Sequence, residues 1–473
     1  MSTVSIAQIT GEATKLDSSA LDELKKSLKG ELIRPEDGSY DEARAIWNGM
    51  IDKRPAFIVR CAGVEDVKKA VVFAREHNLL TAVRGAGHNI AGNAVCDDGV
   101  VIDLSQMKSV KIDSKNRVAH VGPGATLGDF DKEAQKFELA TPVGINSTTG
   151  IAGLTLGGGF GWLTRKYGMT VDNFMGADVV TSDGKLLHAS PNENADLFWG
   201  LTGGGGNFGI VTNFEFRMHT LGTDVFSGLV VFPHKEAADV LKKYRDFVPG
   251  LPDETSVWIV LRKAPPLPFV PQEAHGTDIL ALALFHAGDP EEGERNIEPV
   301  RKFGNVLAEH TGVQPYVEWQ KAFDPLLAPG ARNYWKSHNF SELSDKAIEI
   351  ATTYAATMPS PDCEVLFAHL GGAVGRVGVD DTAYPHRKSD FVFNVHGRWE
   401  NAADDKKCVA WARELHSKMA PLSAGSVYVN FMTEDEADRV PSAFGSSYKR
   451  LVELKKKYDP DNFFRLNQNI SPN

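Results

Sequence analysis

The stretch Arg84-Gly85-Ala86-Gly87-His88-Asn89 directly follows a predicted strand, residues 79–84. Glycines at such a point let the backbone turn sharply and bring bare N–H groups close to an anion. Two further glycine clusters lie at residues 144–161 and 203–209, and the second leads into a strand. Three such loops in one region predict a long ligand that carries a pyrophosphate.

The segments around these loops predict an α+β fold in three parts. Strand, helix and strand follow one another from residue 56, because Val64, Val67, Val71 and Ala74 repeat at helical spacing between two apolar runs. We expect residues 1–215 to form the first part and residues 216–425, where β-rich and helical segments alternate, to form an inserted second domain. Residues 426–473 then return to the first part through a strand (426–432) and a basic helix.

Composition limits the possible functions. The chain has 473 residues, of which 42% are hydrophobic and 24% charged, and a net charge of -11. This length favours two domains, and the negative charge argues against nucleic acid or an anionic membrane as partner. We see no secretory signal and no apolar run of membrane-spanning length, so we expect a cytoplasmic protein. The four scattered cysteines predict neither a disulfide framework nor a metal site.

One glycine stretch invites a different interpretation. Residues 122–128 follow a strand and open a helix, as a nicotinamide-binding Rossmann motif does. The acidic residue expected about 20 positions further on is missing, which argues against that motif. His88 taken alone is compatible with a hydrogen-bonded structural histidine.

The order of the motifs along residues 50–473 carries more information than any one of them. With them, the chain resembles the berberine bridge enzyme-like FAD-linked oxidases of the vanillyl-alcohol oxidase superfamily, and within that family the bacterial 6-hydroxynicotine oxidase-like branch. The motifs are Arg84–His88, Gly157–Gly161, Arg165–Gly168, Asp172-Asn173, Leu197–Trp199, Gly204–Gly209, Arg332–Ser337, Tyr384-Pro385-His386-Arg387, Tyr458-Asp459-Pro460 and Asn467-Gln468-Asn469.

The resemblance implies a two-part FAD-binding domain of the vanillyl-alcohol oxidase (PCMH) type and a substrate domain with an antiparallel sheet and helices. It implies a covalent bond from His88 to the flavin 8α-methyl group. Asn146 stands where many relatives carry a second linking cysteine, so we expect FAD to be held by one bond only. The residues expected to bind the cofactor are His88, Arg84, Gly85, Ala86, Gly87, Asn89, Ser147, Thr148, Thr149, Gly150, Gly153, Gly158, Gly209, Ile210, Val211, Asn467 and Asn469.

The implied reaction is hydride transfer to the flavin from a carbon bearing OH or NH, while a base removes the proton. Tyr428, in Tyr428-Val-Asn430-Phe431, matches the family's tyrosine base, although it is also compatible with an ordinary strand aromatic. His369 and His396, on two predicted strands, are further candidates for a base or a substrate contact, with plain burial or a solvated edge as the alternative.

For the substrate and the electron acceptor, the sequence predicts only a chemical class. Leu366, Ala368 and Leu370 replace the acidic or lysine groups of amine-oxidising relatives, and Trp335 and Trp399 predict an apolar cleft for an aromatic or other small organic substrate. Thr149 is small enough to admit O2 to the flavin, which favours an oxidase that releases hydrogen peroxide. A dehydrogenase with another acceptor and a non-catalytic flavoprotein are the alternatives. We expect a monomer or homodimer.

Overall fold

The first part of the chain builds two principal sheets. The computed structural model describes residues 3–473. The strands of residues 3–220 are β1 (Thr3–Ala7), β2 (Ala13–Asp17), β3 (Glu31–Ile33), β4 (Phe57–Arg60), β5 (Thr81–Arg84), β6 (Val100–Asp103), β7 (Val110–Asp113), β8 (Val118–Val121), β9 (Leu139–Ala140), β10 (Phe174–Val180), β11 (Leu186–Ala189), β12 (Ile210–Arg217) and β13 (His219–Thr220). The helices are α1 (Ser18–Ser27), α2 (Tyr40–Arg44), α3 (Val64–Glu76), α4 (Leu127–Ala134), α5 (Ile151–Leu156), α6 (Thr164–Tyr167) and α7 (Ala195–Leu201).

The smaller sheet places the first glycine loop. Its order is β3-β4-β6-β5, with β4 and β5 both parallel to β6. Helix α3 connects β4 to β5 and buries Val67, Ala70, Val71 and Ala74, as the helical spacing predicted. The loop at 85–89 therefore leaves the carboxyl end of a parallel strand, which is where α/β sheets bind ligands.

The larger sheet of this part has the order β11-β10-β12-β8-β7 and is antiparallel. The glycine cluster at 203–209 leads directly into β12, as the sequence predicted. Strand β12 continues to Arg217, and β13 pairs with β9, so the strands of this part reach residue 220, beyond the expected boundary at 215.

The rest of the chain supplies the second domain and a return segment. The strands are β14 (Asp224–Pro233), β15 (Thr255–Lys263), β16 (Asp278–His286), β17 (Ala308–Pro315), β18 (Arg332–Phe340), β19 (Glu364–His369) and β20 (Phe391–Trp399). The helices are α8 (Ala237–Phe247), α9 (Pro290–Ile297), α10 (Tyr316–Trp319), α11 (Asp345–Ala355), α12 (Asp405–Met419), α13 (Val440–Phe444) and α14 (Tyr448–Tyr458).

These seven strands form one antiparallel sheet in the order β17-β14-β16-β15-β19-β20-β18. Successive side chains point to opposite faces of a strand. On β15, Val257 and Ile259 therefore pack under α8, α11 and α12, whereas Trp258 faces the first part of the chain. The second face of this sheet becomes one wall of the cleft described below.

The return segment corrects one expectation and contains one buried ion pair. The expected strand at 426–432 is instead an irregular segment with a 3₁₀ turn at Val429–Phe431, where the Phe431 N–H donates back to the Tyr428 carbonyl at 3.0 Å. In α14, the Lys455 ammonium group is fully buried and lies 2.6 Å from the Asp459 carboxylate. It also donates to the carbonyls of Asn207 (2.8 Å) and Phe464 (2.9 Å). Lys455 thus ties the return segment to the third glycine cluster.

Two general features complete the fold. Across residues 3–473, no helix combines the length and apolar character that crossing a bilayer requires. The cysteines Cys61, Cys96, Cys363 and Cys408 are all buried and unbridged.

Candidate functional site

A cleft of about 350 Å³ lies where the glycine loops, the seven-stranded sheet and the return segment meet. Its walls include residues 85–89, residues 144–146 and 149–150, part of α5, Glu364 and Leu366 on β19, and residues 428–431. Residues from each of the three predicted segments of the chain therefore contribute to one site.

Backbone conformation explains why glycines are needed here. Gly87 has φ +75°, which L side chains rarely adopt, and a Cβ there would lie 3.3 Å from Ile46. At Gly153 and Gly206, which line the cleft, an added Cβ would meet nothing within 4 Å. The glycines therefore shape one turn and leave open space for a ligand along the loops.

His88 projects into this space between an aromatic ring and two hydroxyl groups. Its ring stacks on Trp47 with centroids 5.1 Å apart and planes 23° apart. The Thr148 hydroxyl lies 3.0 Å from Nε2, and the Thr149 hydroxyl lies 3.5 Å from Nδ1. Burial lowers the pKa of His88 to about 4, so the imidazole is neutral near pH 7.

Most of the residues expected to bind the cofactor line the cleft. They are Gly85, Ala86, Gly87, His88, Asn89, Thr149, Gly150, Gly153, Gly209, Ile210, Val211 and Asn467. The Oδ1 atoms of Asn467 and Asn469 are buried and have no partner within residues 3–473. Buried acceptors of this kind suit a ligand with N–H or hydroxyl donors, as FAD has. The residues present therefore fit FAD.

Five of the expected cofactor residues lie outside the cleft lining, namely Arg84, Ser147, Thr148, Gly158 and Asn469. Arg84 donates to the Ala43 carbonyl, and Ser147 bonds to Asp324 through its backbone N–H (2.9 Å) and its hydroxyl. A Cβ on Gly158 would lie 3.0 Å from Tyr384. The direct contacts of these five residues with the cofactor remain predictions, and Thr148 additionally lies beside His88.

Asn146 holds the loop beside His88 through hydrogen bonds to Thr148. It lines the cleft, and its side-chain oxygen accepts hydrogen bonds from the Thr148 N–H (3.0 Å) and the Thr148 hydroxyl (2.8 Å). These hydrogen bonds fix Thr148 beside His88.

Tyr428 lies in the cleft wall with its oxygen held by two donors. The Gly159 N–H and the Asn430 side-chain amide each donate to it at 3.0 Å. Burial raises the pKa of Tyr428 to about 12, although these two hydrogen bonds oppose the rise. Both contacts are made to the oxygen, so neither takes up the hydroxyl proton.

His396 also lines the cleft, paired with a residue that the sequence interpretation missed. Its Nδ1 lies 3.0 Å from the Glu364 carboxylate and its Nε2 lies 3.2 Å from the Asn333 side-chain oxygen. The second Glu364 oxygen accepts from Arg262 at 3.0 Å. Burial disfavours the charged form of Glu364, but the hydrogen bond from His396 and the charge of Arg262 outweigh it and lower the pKa of Glu364 to about 2. Burial lowers the pKa of His396, while Glu364 opposes that shift.

His369 is corrected as a catalytic candidate. It is absent from the cleft lining because it points to the face of β19 opposite Leu366. Its Nε2 lies 3.1 Å from the Arg165 guanidinium, and burial lowers its pKa well below the usual value. His369 is a buried partner of Arg165.

The apolar wall of the cleft is aromatic, as expected, but its members differ in part. Trp335, Trp258, Phe160 and Phe431 line it. Trp399 instead donates to Asp405 at 2.7 Å on the helix-covered side, so its expected place in the cleft was wrong.

Glu364 and Trp47, both missed in the sequence, differ in whether a sequence pattern could have indicated them. Glu364 lies two positions before Leu366, so the same alternation that grouped residues 366, 368 and 370 extends to it. Trp47 had no such signal, because its contact with His88 joins separate segments.

Comparison with known proteins agrees with this geometry. The family model for the FAD binding domain matches residues 55–190, and the model described as berberine and berberine like matches residues 427–471. The two matches lie before and after the seven-stranded sheet in the chain, and both matched regions contribute residues to the cleft.

Relatives match along nearly the whole chain. An FAD-linked oxidoreductase of Dictyostelium discoideum is 32% identical over 96% of this chain and 97% of its own length. The (R)-6-hydroxynicotine oxidase of Paenarthrobacter nicotinovorans is 31% identical over 94% of this chain and 97% of its own. The crystal structure of 6-hydroxy-D-nicotine oxidase from Arthrobacter nicotinovorans superposes with a TM-score of 0.85 at 30% identity, covering 94% of this chain and 99% of that one. The chain therefore belongs to the berberine bridge enzyme-like family of FAD-linked oxidoreductases.

Proposed function

We propose that this protein is an oxidase that removes two electrons and two protons from a carbon bearing OH or NH in a small organic substrate and transfers them to O2. The products are the oxidised substrate, with a new C=O or C=N bond, and hydrogen peroxide. The observation that carries this proposal is the position of the Tyr428 oxygen in the wall of an aromatic cleft that also contains the neutral His88.

FAD, when bound, supplies the acceptor for the two electrons. Tyr428 is placed to receive the substrate's heteroatom proton, because its oxygen is already oriented by the Gly159 and Asn430 donors. Those donors stabilise the phenolate form, which a tyrosine needs in order to act as a base.

Glu364 and His396 are better suited to position the substrate. Both Glu364 oxygens and both His396 nitrogens are already engaged with polar partners. Side chains held by such partners form a fixed polar edge, which orients a substrate well. The aromatic residues Trp335, which packs against His396, and Phe431 suit a flat or ring-shaped substrate.

The bond to FAD is proposed at His88 alone. A neutral imidazole nitrogen has the lone pair that such a bond requires, and Asn146 offers no second nucleophile. The oxidase activity is supported by relatives named as oxidases, among them the chitooligosaccharide oxidase of Gibberella zeae at 27% identity.

The test begins with the purified holoprotein. An anaerobic screen of alcohols, amines, lactols and phenols should find substrates that bleach the flavin absorbance, and readmission of air should restore the colour and yield one hydrogen peroxide per turnover. Bleaching followed by slow recolouring in air would indicate a dehydrogenase instead. Failure of every substrate class to bleach the flavin would contradict the enzymatic proposal.

The covalent bond has a separate readout. Acid precipitation should leave the yellow colour with the wild-type protein, whereas His88→Ala should release it into the supernatant. Release from the wild type would contradict the proposed bond and leave the oxidase proposal standing.

A further inference from the structure

Trp47 touches His88 more closely than any other aromatic ring within residues 3–473. It lies in an irregular segment after α2, and β4, α3 and β5 separate it from His88 along the chain. Its backbone N–H donates to the Gly87 carbonyl at 3.1 Å, and its indole N–H donates to the Leu327 carbonyl at 2.8 Å. The ring is thereby held from both the glycine loop and the second domain.

Two residues of the seven-stranded sheet also contact the same indole. Trp335 approaches it edge-on, with centroids 5.6 Å apart, and the Arg398 guanidinium lies 5.5 Å from its centroid. Trp47 is also only 4% exposed. A ring fixed in this way has little freedom to turn, so it sets the plane of any ring stacked on it.

We propose that Trp47 is a positioning residue for the bond between His88 and FAD, holding the imidazole ring in the plane from which a nitrogen can reach the flavin methyl group. This inference rests on the covalent attachment put forward under Proposed function. Neither the motifs of the chain nor the glycine loops point to Trp47.

The chemistry explains why orientation matters. In the overall reaction the imidazole loses its N–H proton and the 8α-methyl group loses one hydrogen as the N–C bond forms. The two electrons and two protons released reduce O2 to hydrogen peroxide. The attacking lone pair lies in the plane of the imidazole, so rotation of the ring turns it away from the methyl carbon. Correct orientation of reacting groups contributes strongly to such rates.

The surrounding contacts divide the work. The Thr148 and Thr149 hydroxyls lie near the two ring nitrogens, roughly at the edge of the imidazole, and can stabilise one tautomer. Trp47 covers a face of the ring, which hydrogen bonds at the edge do not restrain. Removing the Trp47 indole therefore leaves both hydroxyls beside the His88 nitrogens but allows the imidazole ring to tilt.

The experiment compares Trp47→Phe with Trp47→Leu in the full-length holoprotein. Each variant is purified, incubated with excess FAD in air, and sampled over time for flavin retained in the acid precipitate. Total bound flavin is read from absorbance before precipitation. Because Phe keeps a stacking face and Leu does not, we expect Trp47→Phe to form the bond at close to the wild-type rate and Trp47→Leu to form it about tenfold more slowly or worse. Total bound flavin should stay similar in both.

A matched control separates positioning from general damage. Trp411→Leu removes another buried indole, that of Trp411 on α12, which donates to the Tyr354 carbonyl on α11 at 3.2 Å. This variant should keep the wild-type covalent fraction, and the thermal midpoints of both Leu variants are measured alongside.

The outcomes are distinct. Wild-type kinetics in Trp47→Leu would overturn the role of Trp47 while leaving the His88 bond intact. Equal loss in Trp47→Phe and Trp47→Leu would also overturn it, because the Leu327 hydrogen bond would then explain the defect. Release of all flavin from the wild-type protein would overturn the His88 bond itself and the role of Trp47 with it.

Discussion

At the scale of single residues, the hydrogen-bond partners of each titratable group in the cleft indicate its role. Tyr428 receives two N–H donors on its oxygen, whereas His396 lies between the oxygens of Glu364 and Asn333. The number of titratable side chains in a site therefore says little about which of them acts. The N–H donors on the Tyr428 oxygen stabilise its phenolate form, whereas the oxygens beside His396 hold it as an N–H donor, so the partners favour the tyrosine as base.

Replacing Tyr428 by Phe should lower kcat/KM by about 100-fold or more, as expected for loss of a general base. With a pKa raised to about 12, the active phenolate fraction grows with pH, so the wild-type rate should rise between pH 7 and 10. The Tyr428→Phe rate should lack that rise. Steady-state assays across this pH range measure both effects.

The control for this prediction is Tyr384→Phe. Tyr384 is equally buried, 6.4 Å from Tyr428 between ring centroids, and outside the cleft lining. Its replacement should keep the pH dependence of the wild type. Identical pH profiles for the wild type and Tyr428→Phe would show that another group accepts the proton.

At the scale of elements, a histidine pair joins three segments of the fold. His338 on β18 and His416 on α12 stack in parallel with centroids 4.0 Å apart. Arg439, just before α13, donates to Nδ1 of His338 (3.3 Å) and to Nε2 of His416 (3.0 Å). Because a nitrogen that accepts a hydrogen bond cannot carry a proton, this arrangement requires both imidazoles to be neutral.

The pair should therefore make the fold sensitive to acid. Burial and the neighbouring cations lower the pKa of His338 to about 3 and that of His416 to about 4. Between pH 7.5 and 5 these histidines bind protons in the unfolded chain but not in the folded protein. The free energy of unfolding should therefore fall by about 2 kcal/mol for each histidine. In His416→Phe the fall should be smaller by about that amount, measured by urea unfolding at several pH values.

His310→Phe provides the comparison, because His310 lies exposed on the edge strand β17. Its loss should leave the slope against pH unchanged. If His416→Phe kept the full wild-type slope, the acid sensitivity would have to come from other buried histidines.

The elements also show how far sequence patterns reach. Helical spacing predicted α3, and the glycine clusters predicted the loops that line the cleft, because both signals are local. Alternation placed Leu366 on the cleft side of β19, and the same rule argues against His369 and for Glu364. The turn at 429–431 and the Trp47 contact were not predictable in this way, since they depend on hydrogen bonds and packing between distant segments.

At the scale of the whole molecule, one buried cation links the return segment to the cofactor loops. Lys455 donates to the carbonyls of Asn207 and Phe464 and pairs with Asp459 in full burial. Asn207 and Phe464 both line the cleft. The pair therefore stabilises the site as well as the packing of α14.

Replacing Lys455 by Met should lower the free energy of unfolding by about 3 kcal/mol, because it leaves the Asp459 carboxylate buried without a counter-charge. Noncovalently held flavin, in a His88→Ala background, should also dissociate more readily. Lys457→Met, which breaks an exposed pair with Asp196, should cost less than about 1 kcal/mol. Equal losses in the two variants, by urea unfolding, would contradict the structural role of Lys455.

The order of these segments along the chain has a consequence for biosynthesis. Domains tend to fold as they leave the ribosome, earlier segments first. When the seven-stranded sheet has been translated, the glycine loops are present but Tyr428, Lys455 and Phe464 have not yet been made. The wall that completes the cleft is thus the last to be translated, and the nascent chain passes through a stage in which the loops have formed without their enclosure. We therefore expect FAD to bind stably only after translation has passed residue 464.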